Sequence, residues 1–253
     1  MSDISTDRVD DVAVVTLHRP PANYFDRALI EELADAFDAL SAGESRAAVL
    51  ASEGKHFCAG ADFGAGGAPA DRVESSRQLY RAAVRLFEVP IPVVAAVQGA
   101  AVGGGLGLAC SADFRVTVPT ARFHANFAAL GFHQGFGLSV TLPRLVGQQR
   151  AAELLYTAEK VDGTEAVRLG LADQLAEDSD PLPAALQLAR SIARSAPLAV
   201  RSMKQTLRAG LADEVARATE RELNEQAKLW TTEDCSIGVA ANLARKEPRF
   251  LGR

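Results

Sequence analysis

The stretch that most constrains this chain is Ala95–Val116, A-A-V-Q-G-A-A-V-G-G-G-L-G-L-A-C-S-A-D-F-R-V. It opens as an apolar run of small and β-branched residues, the pattern of a strand buried on both faces. Gly103, Gly104 and Gly105 interrupt the run, and L-G-L-A-C-S then reads as the start of a helix. A strand that turns through glycines into a helix leaves backbone N–H groups without partners at the helix N-terminus. Those donors and the positive end of the helix dipole suit a negatively charged oxygen, and glycine lets a ligand approach the backbone closely. The stretch is therefore a candidate anion or oxyanion site.

The rest of the chain supplies an α/β frame around it. Val12–Leu17 and Ala47–Ala51 read as buried strands. Between them, Asp26 is placed to cap a helix over Arg27–Leu40, where Leu29, Ile30, Leu33, Ala36, Phe37 and Leu40 recur at helical spacing. Ala59-Gly60-Ala61 is a small-residue turn, and Gly64–Ala70 is a Gly/Ala/Pro-rich loop expected to be mobile. A helix is expected over Arg72–Glu88, ended by Pro90 and Pro92. Phe114–Val118 and Ala121–His124 read as short strands, and Leu130–Gly137 as a second glycine-punctuated turn leading into a helix towards Pro143. Beyond Gln148 the pattern is mostly helical: Ala151–Thr157, Leu182–Ser195, Leu198–Ala209, Ala212–Trp230 and Thr232–Arg245. A turn at Gly163–Gly170 and a strand-like L-A-D-Q-L-A interrupt it. Strands and turns come first and helices last, with no internal repeat.

Charge and cysteine usage narrow the function classes. The 27 Lys and Arg against 32 Asp and Glu give a net charge of −5, with no basic excess to offset a nucleic-acid backbone. No apolar stretch is long enough to span a bilayer, and the start M-S-D-I-S-T-D-R carries no signal region. Three cysteines, Cys58, Cys110 and Cys235, have neither a C-x-x-C spacing nor an even count, so no disulfide framework or metal site is expected. A cytoplasmic location is the simplest expectation. V-G-G-G-L-G-L is not a dinucleotide fingerprint, because Leu108 stands at the third glycine position. No G-x-S-x-G exists, the nearest segment being Gly137-Leu138-Ser139-Val140-Thr141.

Two segments together resemble the crotonase superfamily, the enoyl-CoA hydratase/isomerase proteins. They are S-E-G-K-H-F-C-A-G-A-D-F at residues 52–63 and the Ala95–Val116 stretch. L-H-R-P near the start, L-P-R-L-V-G at Leu142–Gly147 and the terminal T-E-D-C-S-I-G-V-A-A-N-L-A-R-K-E-P-R-F agree in order and spacing, so the resemblance runs through essentially the whole chain. It implies an α/β fold, a crotonase-like spiral of ββα units over residues 1–195. A C-terminal helical region over 196–253 would make trimers or dimers of trimers. It implies a coenzyme A thioester as substrate or ligand, with no other cofactor. By motif position, the N–H groups of Ala61 and Gly104 would hold the thioester oxygen. Ala22, Ala59, Asp62 and Phe63 would follow the CoA path, and Lys204, Arg19, Arg245 and Lys246 are candidates for phosphate contacts.

The same resemblance shows where this sequence departs from the family. Hydratases use two glutamates to activate water. The first follows the glycine triplet as G-G-G-x-E, and that position here is Gly107. The second stands in a P-E pair before the L-G turn, and that pair here is Asn126-Phe127. Relatives with an aspartate a few residues later meet Gln134 and Gly135. The polar candidates left near the acyl group are His133, Gln134, Asn126 and His124, with Asp62 and Glu159 further off. A histidine in this turn, His133, is a candidate general base, since imidazole is the side chain suited to proton transfer near neutral pH. The plainer reading, favoured here, is that it fills the turn and packs between Phe132 and Phe136. Two functions follow: an acyl-CoA enzyme working by a non-hydratase route, or a non-catalytic acyl-CoA carrier or regulatory binding protein.

Overall fold

The computed structural model describes residues 2–61 and 69–253, with only the backbone of Pro69 and Ala70. Its main sheet has the order β1-β2-β3-β4-β6-β9: Ile4–Val9, Val12–Leu17, Ala47–Ser52, Val93–Val97, Phe114–Thr117 and Gln174–Leu175. β1 and β2 are antiparallel, and every later pairing in this sheet is parallel. Parallel strands are covered on both faces, which is why β2, β3 and β4 are almost wholly apolar and buried. A second sheet, β5-β7-β8, joins Ala100–Val102, Arg122–His124 and Lys160–Asp162.

Several helices start at a side-chain cap. In α1 (Arg27–Ala42) the Asp26 carboxylate accepts the Leu29 N–H at 2.9 Å, and Leu29, Ile30, Leu33 and Phe37 face the core. α2 spans Pro69–Glu88 and α3 spans Gly104–Ser111, two residues earlier than the sequence pattern gives, so Gly104 and Gly105 belong to the first helical turn. α4 (Leu138–Val146) runs past Pro143, where it was expected to stop. α5 covers Gln148–Thr157. The turn expected at Gly163–Gly170 is a helix, α6 (Gly163–Leu169), because Asp162 caps the Glu165 N–H at 2.8 Å and Gly170 closes the other end in the left-handed region. α7 (Leu182–Ala193), α8 (Pro197–Leu207), α9 (Leu211–Leu229) and α10 (Glu233–Ala244) follow, and α9 packs against α2 and α4.

β1 and β8 are strands that the sequence pattern does not signal. I-S-T-D-R-V in β1 buries only Ile4 and lies at the sheet edge, so its pairing with β2, and no apolar alternation of its own, makes it a strand. Among the described residues no helix is long and apolar enough to cross a membrane.

Candidate functional site

Three segments meet where β4 hands over to β5 and α3. Phe57 and Cys58 run beside β5: Phe57 N–H donates to the Gln98 carbonyl at 2.9 Å, Cys58 N–H to Ala100 at 2.9 Å, and Val102 N–H back to Cys58 at 3.0 Å. Ala59–Ala61 is thereby held against Val102–Gly104. A Cβ on Gly60, whose φ is +113°, would lie 3.1 Å from the Val102 oxygen and 4.0 Å from the Gly104 nitrogen. The third segment is Ala22–Phe25. Here buried Asn23 donates to the carbonyls of Glu53 (2.8 Å) and His56 (2.6 Å), and Ala59 N–H donates to Ala22 at 2.9 Å. Phe25 N–H donates to Gly60 at 3.0 Å.

The glycines of the α3 turn are demanded by this close approach. A Cβ on Gly104 would stand 2.6 Å from Phe25 Cζ, and one on Gly105 only 2.1 Å from the Cys58 oxygen. Gly103 N–H is taken by the His124 carbonyl at 2.8 Å. Gly104 N–H, at the first helical position, has no intrahelical acceptor. Among the described residues no acceptor is found for it or for the Ala61 N–H.

Both of these residues line a cavity of about 380 Å³. Its aromatic walls are Phe25, Phe127, Phe132 and Phe136. Phe25 and Phe136 have ring centroids 5.3 Å apart, and Phe127 meets Phe132 edge-on at 5.8 Å. Among the described lining residues there is no aspartate, glutamate, histidine or lysine. Polar groups enter from the helices: Arg72, Ser76 and Tyr80 from α2, Gln226 from α9 and Asn242 from α10, with Asn126 from the segment after β7. The Arg72 guanidinium lies 4.0 Å over the Trp230 ring, and burial lowers its pKa. Tyr80 donates to Gln226 Oε1 at 2.9 Å, while Gln226 Nε2 donates to the carbonyls of His133 (3.0 Å) and Gln134 (3.3 Å). Burial raises the Tyr80 phenol pKa, so it remains a neutral donor.

The second glycine turn is closed differently. Glu222 on α9, 1% exposed, accepts the N–H groups of Gly137 (2.9 Å) and Ser139 (3.0 Å) at the start of α4. Burial raises its pKa against the lowering effect of those donors. The turn ends in Phe136, at φ +60° and 1% exposed, whose ring lies under α3. A Cβ on Gly107 would sit 2.6 Å from Phe136 Cβ and 2.9 Å from its ring.

The structure brings Ala59, Ala61 and Gly104 together at the cavity, with Ala22 just behind Ala59. Asp62 and Phe63, and the Gly64–Ala70 loop apart from the start of α2, lie outside the described residues. His133 is not part of the described lining, and its Nδ1 is 2.8 Å from the Gln134 carbonyl. Lys204, expected as a phosphate contact, is instead buried: its Nζ donates to Asp113 Oδ2 and to the Ile91 carbonyl, both at 2.7 Å. Desolvation there lowers its pKa to about 8. Arg19 is bracketed by Asp3 (2.7 Å) and Asp26 (3.0 Å). Arg245 and Lys246 are exposed just beyond the end of α10. His124, its Nε2 donating to the Ala158 carbonyl at 2.9 Å, is held neutral by burial, with its pKa lowered to about 4.

Sequence reasoning missed Tyr80, Gln226 and Glu222. The available signal was two polar residues four apart, Glu222 and Gln226, on the same face as apolar Leu223 and Val215 in an amphipathic helix.

Comparison with known proteins identifies the family and the fold. The family model for enoyl-CoA hydratase/isomerase matches residues 7–253. The chain is 34% identical over 247 residues to the "Probable enoyl-CoA hydratase" of Rhodobacter capsulatus, with 96% of each covered. It is 32% identical to the crotonyl-CoA hydratase of Syntrophomonas wolfei, covering 99% of this chain and 98% of that one. An enoyl-CoA hydratase structure from Mycobacterium avium superposes with a TM-score of 0.87 at 29% identity, covering 98% of both chains. The fold is the crotonase-like α/β fold, and the chain belongs to the enoyl-CoA hydratase/isomerase family of the crotonase superfamily.

Proposed function

We propose that the cavity binds the acyl group of a coenzyme A thioester, with the thioester oxygen held between the N–H groups of Ala61 and Gly104. The observation that carries this reading is the pair of donors with no acceptor among the described residues, both on residues that line one aromatic cavity. Donors fixed in place before charge develops stabilise the oxyanion form of the carbonyl, at about 2.7–4 kcal/mol for one donor. The dipole of α3 adds to this at Gly104.

The reaction we propose is not ordinary hydration. Adding water across an enoyl thioester needs a group to take a proton from water and one to deliver a proton to carbon. The described lining contains no carboxylate or imidazole to do either. The position two residues after the glycine triplet is Gly107, and Phe136 fills the space that any side chain there would need. The Phe25, Phe127 and Phe136 walls favour an acyl chain over an ordered water.

The same observation supports a second reading, a non-catalytic acyl-CoA carrier or regulatory protein. Calorimetric titration with butyryl-CoA and a turnover assay on crotonyl-CoA test both. Saturable binding with hydration orders of magnitude below ordinary hydratase rates is expected. Hydration at ordinary rates would overturn the non-hydratase reading, and absence of butyryl-CoA binding would overturn the site. Product formation from other acyl-CoA thioesters would separate enzyme from carrier.

A further inference from the structure

One polar side chain stands beside the α3 turn within an otherwise aromatic wall. Asn126 follows β7 and lines the cavity with Phe127. Its Oδ1 would lie 2.9 Å from a Cβ on Gly103, and its Cγ 4.0 Å, so the carboxamide rests against the residue that precedes the Gly104 donor. The absence of a side chain at Gly103, at φ +55°, makes room for it. The Asn126 main chain is engaged, its carbonyl accepting the Leu130 N–H at 3.2 Å. Its carboxamide makes no hydrogen bond to any described residue. Gln226, the other carboxamide deep in the lining, is by contrast occupied by Tyr80 and by the carbonyls of His133 and Gln134.

A half-buried carboxamide with donor and acceptor both open, in an aromatic surround, gains a full hydrogen bond only from a ligand or a water. It does not titrate near neutral pH, so it orients a ligand and moves no proton. Resting on the reading that the thioester oxygen sits at Gly104, the acyl carbons next to the thioester pass closest to Asn126. We infer that Asn126 is a specificity-determining residue that hydrogen-bonds an oxygen on the β-carbon of the acyl group. The site thereby selects 3-oxoacyl or 3-hydroxyacyl thioesters over plain saturated ones.

Titration calorimetry of the wild type, Asn126→Leu and Asn126→Ala with acetoacetyl-CoA, 3-hydroxybutyryl-CoA and butyryl-CoA tests this. One neutral hydrogen bond corresponds to a preference of about fivefold. The wild type should favour at least one of the oxygenated ligands over butyryl-CoA by about that factor. Both variants should lose the preference, binding the oxygenated ligands no more tightly than they bind butyryl-CoA. A preference that survives both substitutions, or a wild type with none, overturns the inference while leaving the thioester site standing. Failure of all three ligands to bind the wild type overturns the thioester site and the inference with it. The two variants guard against misfolding, since Ala adds no bulk beside Phe127, and a thermal melt of each checks the fold.

Discussion

Two helices in this molecule begin at a glycine turn beside the same cavity, and their N-termini are finished in opposite ways. At α4 the donors of Gly137 and Ser139 are taken by the buried Glu222 carboxyl group, an acceptor delivered from α9 more than eighty residues further along the chain. At α3 the Gly103 donor goes to His124, and Gly104, the first helical residue, keeps its donor open to the cavity. A helix N-terminus attracts a negative charge wherever it lies. Where the protein supplies an acceptor itself, the terminus becomes a joint that fixes the Phe136 wall. Where it does not, the Gly104 donor has no acceptor among the described residues.

The largest expected effect falls on the closed end. Glu222→Ala leaves two buried N–H groups without an acceptor and a void under α4, costing about 3 kcal/mol or more. Glu222→Gln keeps one acceptor oxygen and costs less, about 1–2 kcal/mol. Denaturant titration measures both, and equal stability of Glu222→Ala and wild type would break the contrast between the turns.

At the open end the expected loss is in binding. Gly104→Ala retains the N–H but drives a methyl to 2.6 Å from the Phe25 ring, which is 1% exposed and cannot swing into solvent. Butyryl-CoA affinity should fall by about fivefold to tenfold, on the scale of one neutral hydrogen bond displaced. Calorimetry on Gly104→Ala with unchanged affinity would place the thioester elsewhere.

Acid sharpens the comparison, because His124 stands behind the open turn and its carbonyl holds Gly103. The folded pKa is about 4 against an ordinary 6.5, so between these values the unfolded chain binds more protons than the folded one. Stability is therefore full above about pH 6.5 and declines as the pH falls towards 4. At about 1.4 kcal/mol per pH unit the decline reaches on the order of 3 kcal/mol. His124→Gln should flatten the melting temperature against pH over that window; an unchanged slope would exclude His124 as its source.

The smallest effect is on thiol chemistry. Cys58, whose carbonyl packs against Gly105, is fully buried and its thiol pKa is pushed up to about 12. Cys110, on α3 itself, is pushed up to about 11. Neither should react measurably with a thiol reagent at pH 8 in the native state. Rapid labelling of either, read by mass spectrometry, would mean that α3 opens from its seat.

The sequence by itself determined the α/β order, the buried parallel strands, the Asp26 cap and the glycine turn into α3, because each rests on short-range patterns of burial, capping and backbone freedom. Those same patterns, with the resemblance they carry, were enough to single out Ala61 and Gly104. They were not enough for β1, a polar segment made a strand by its neighbour, or for α6, whose seven residues are fixed by a cap at Asp162. Nor could they reveal that Lys204 turns inward to Asp113, that Glu222 spends the α4 terminus, or that Phe136 fills the space beside Gly107. These depend on which side chains of distant helices meet in three dimensions. A charge on a helix reads the same in sequence whether it faces water or a buried partner. Only the packing of α8 and α9 against the core decides which groups already have a partner inside the protein.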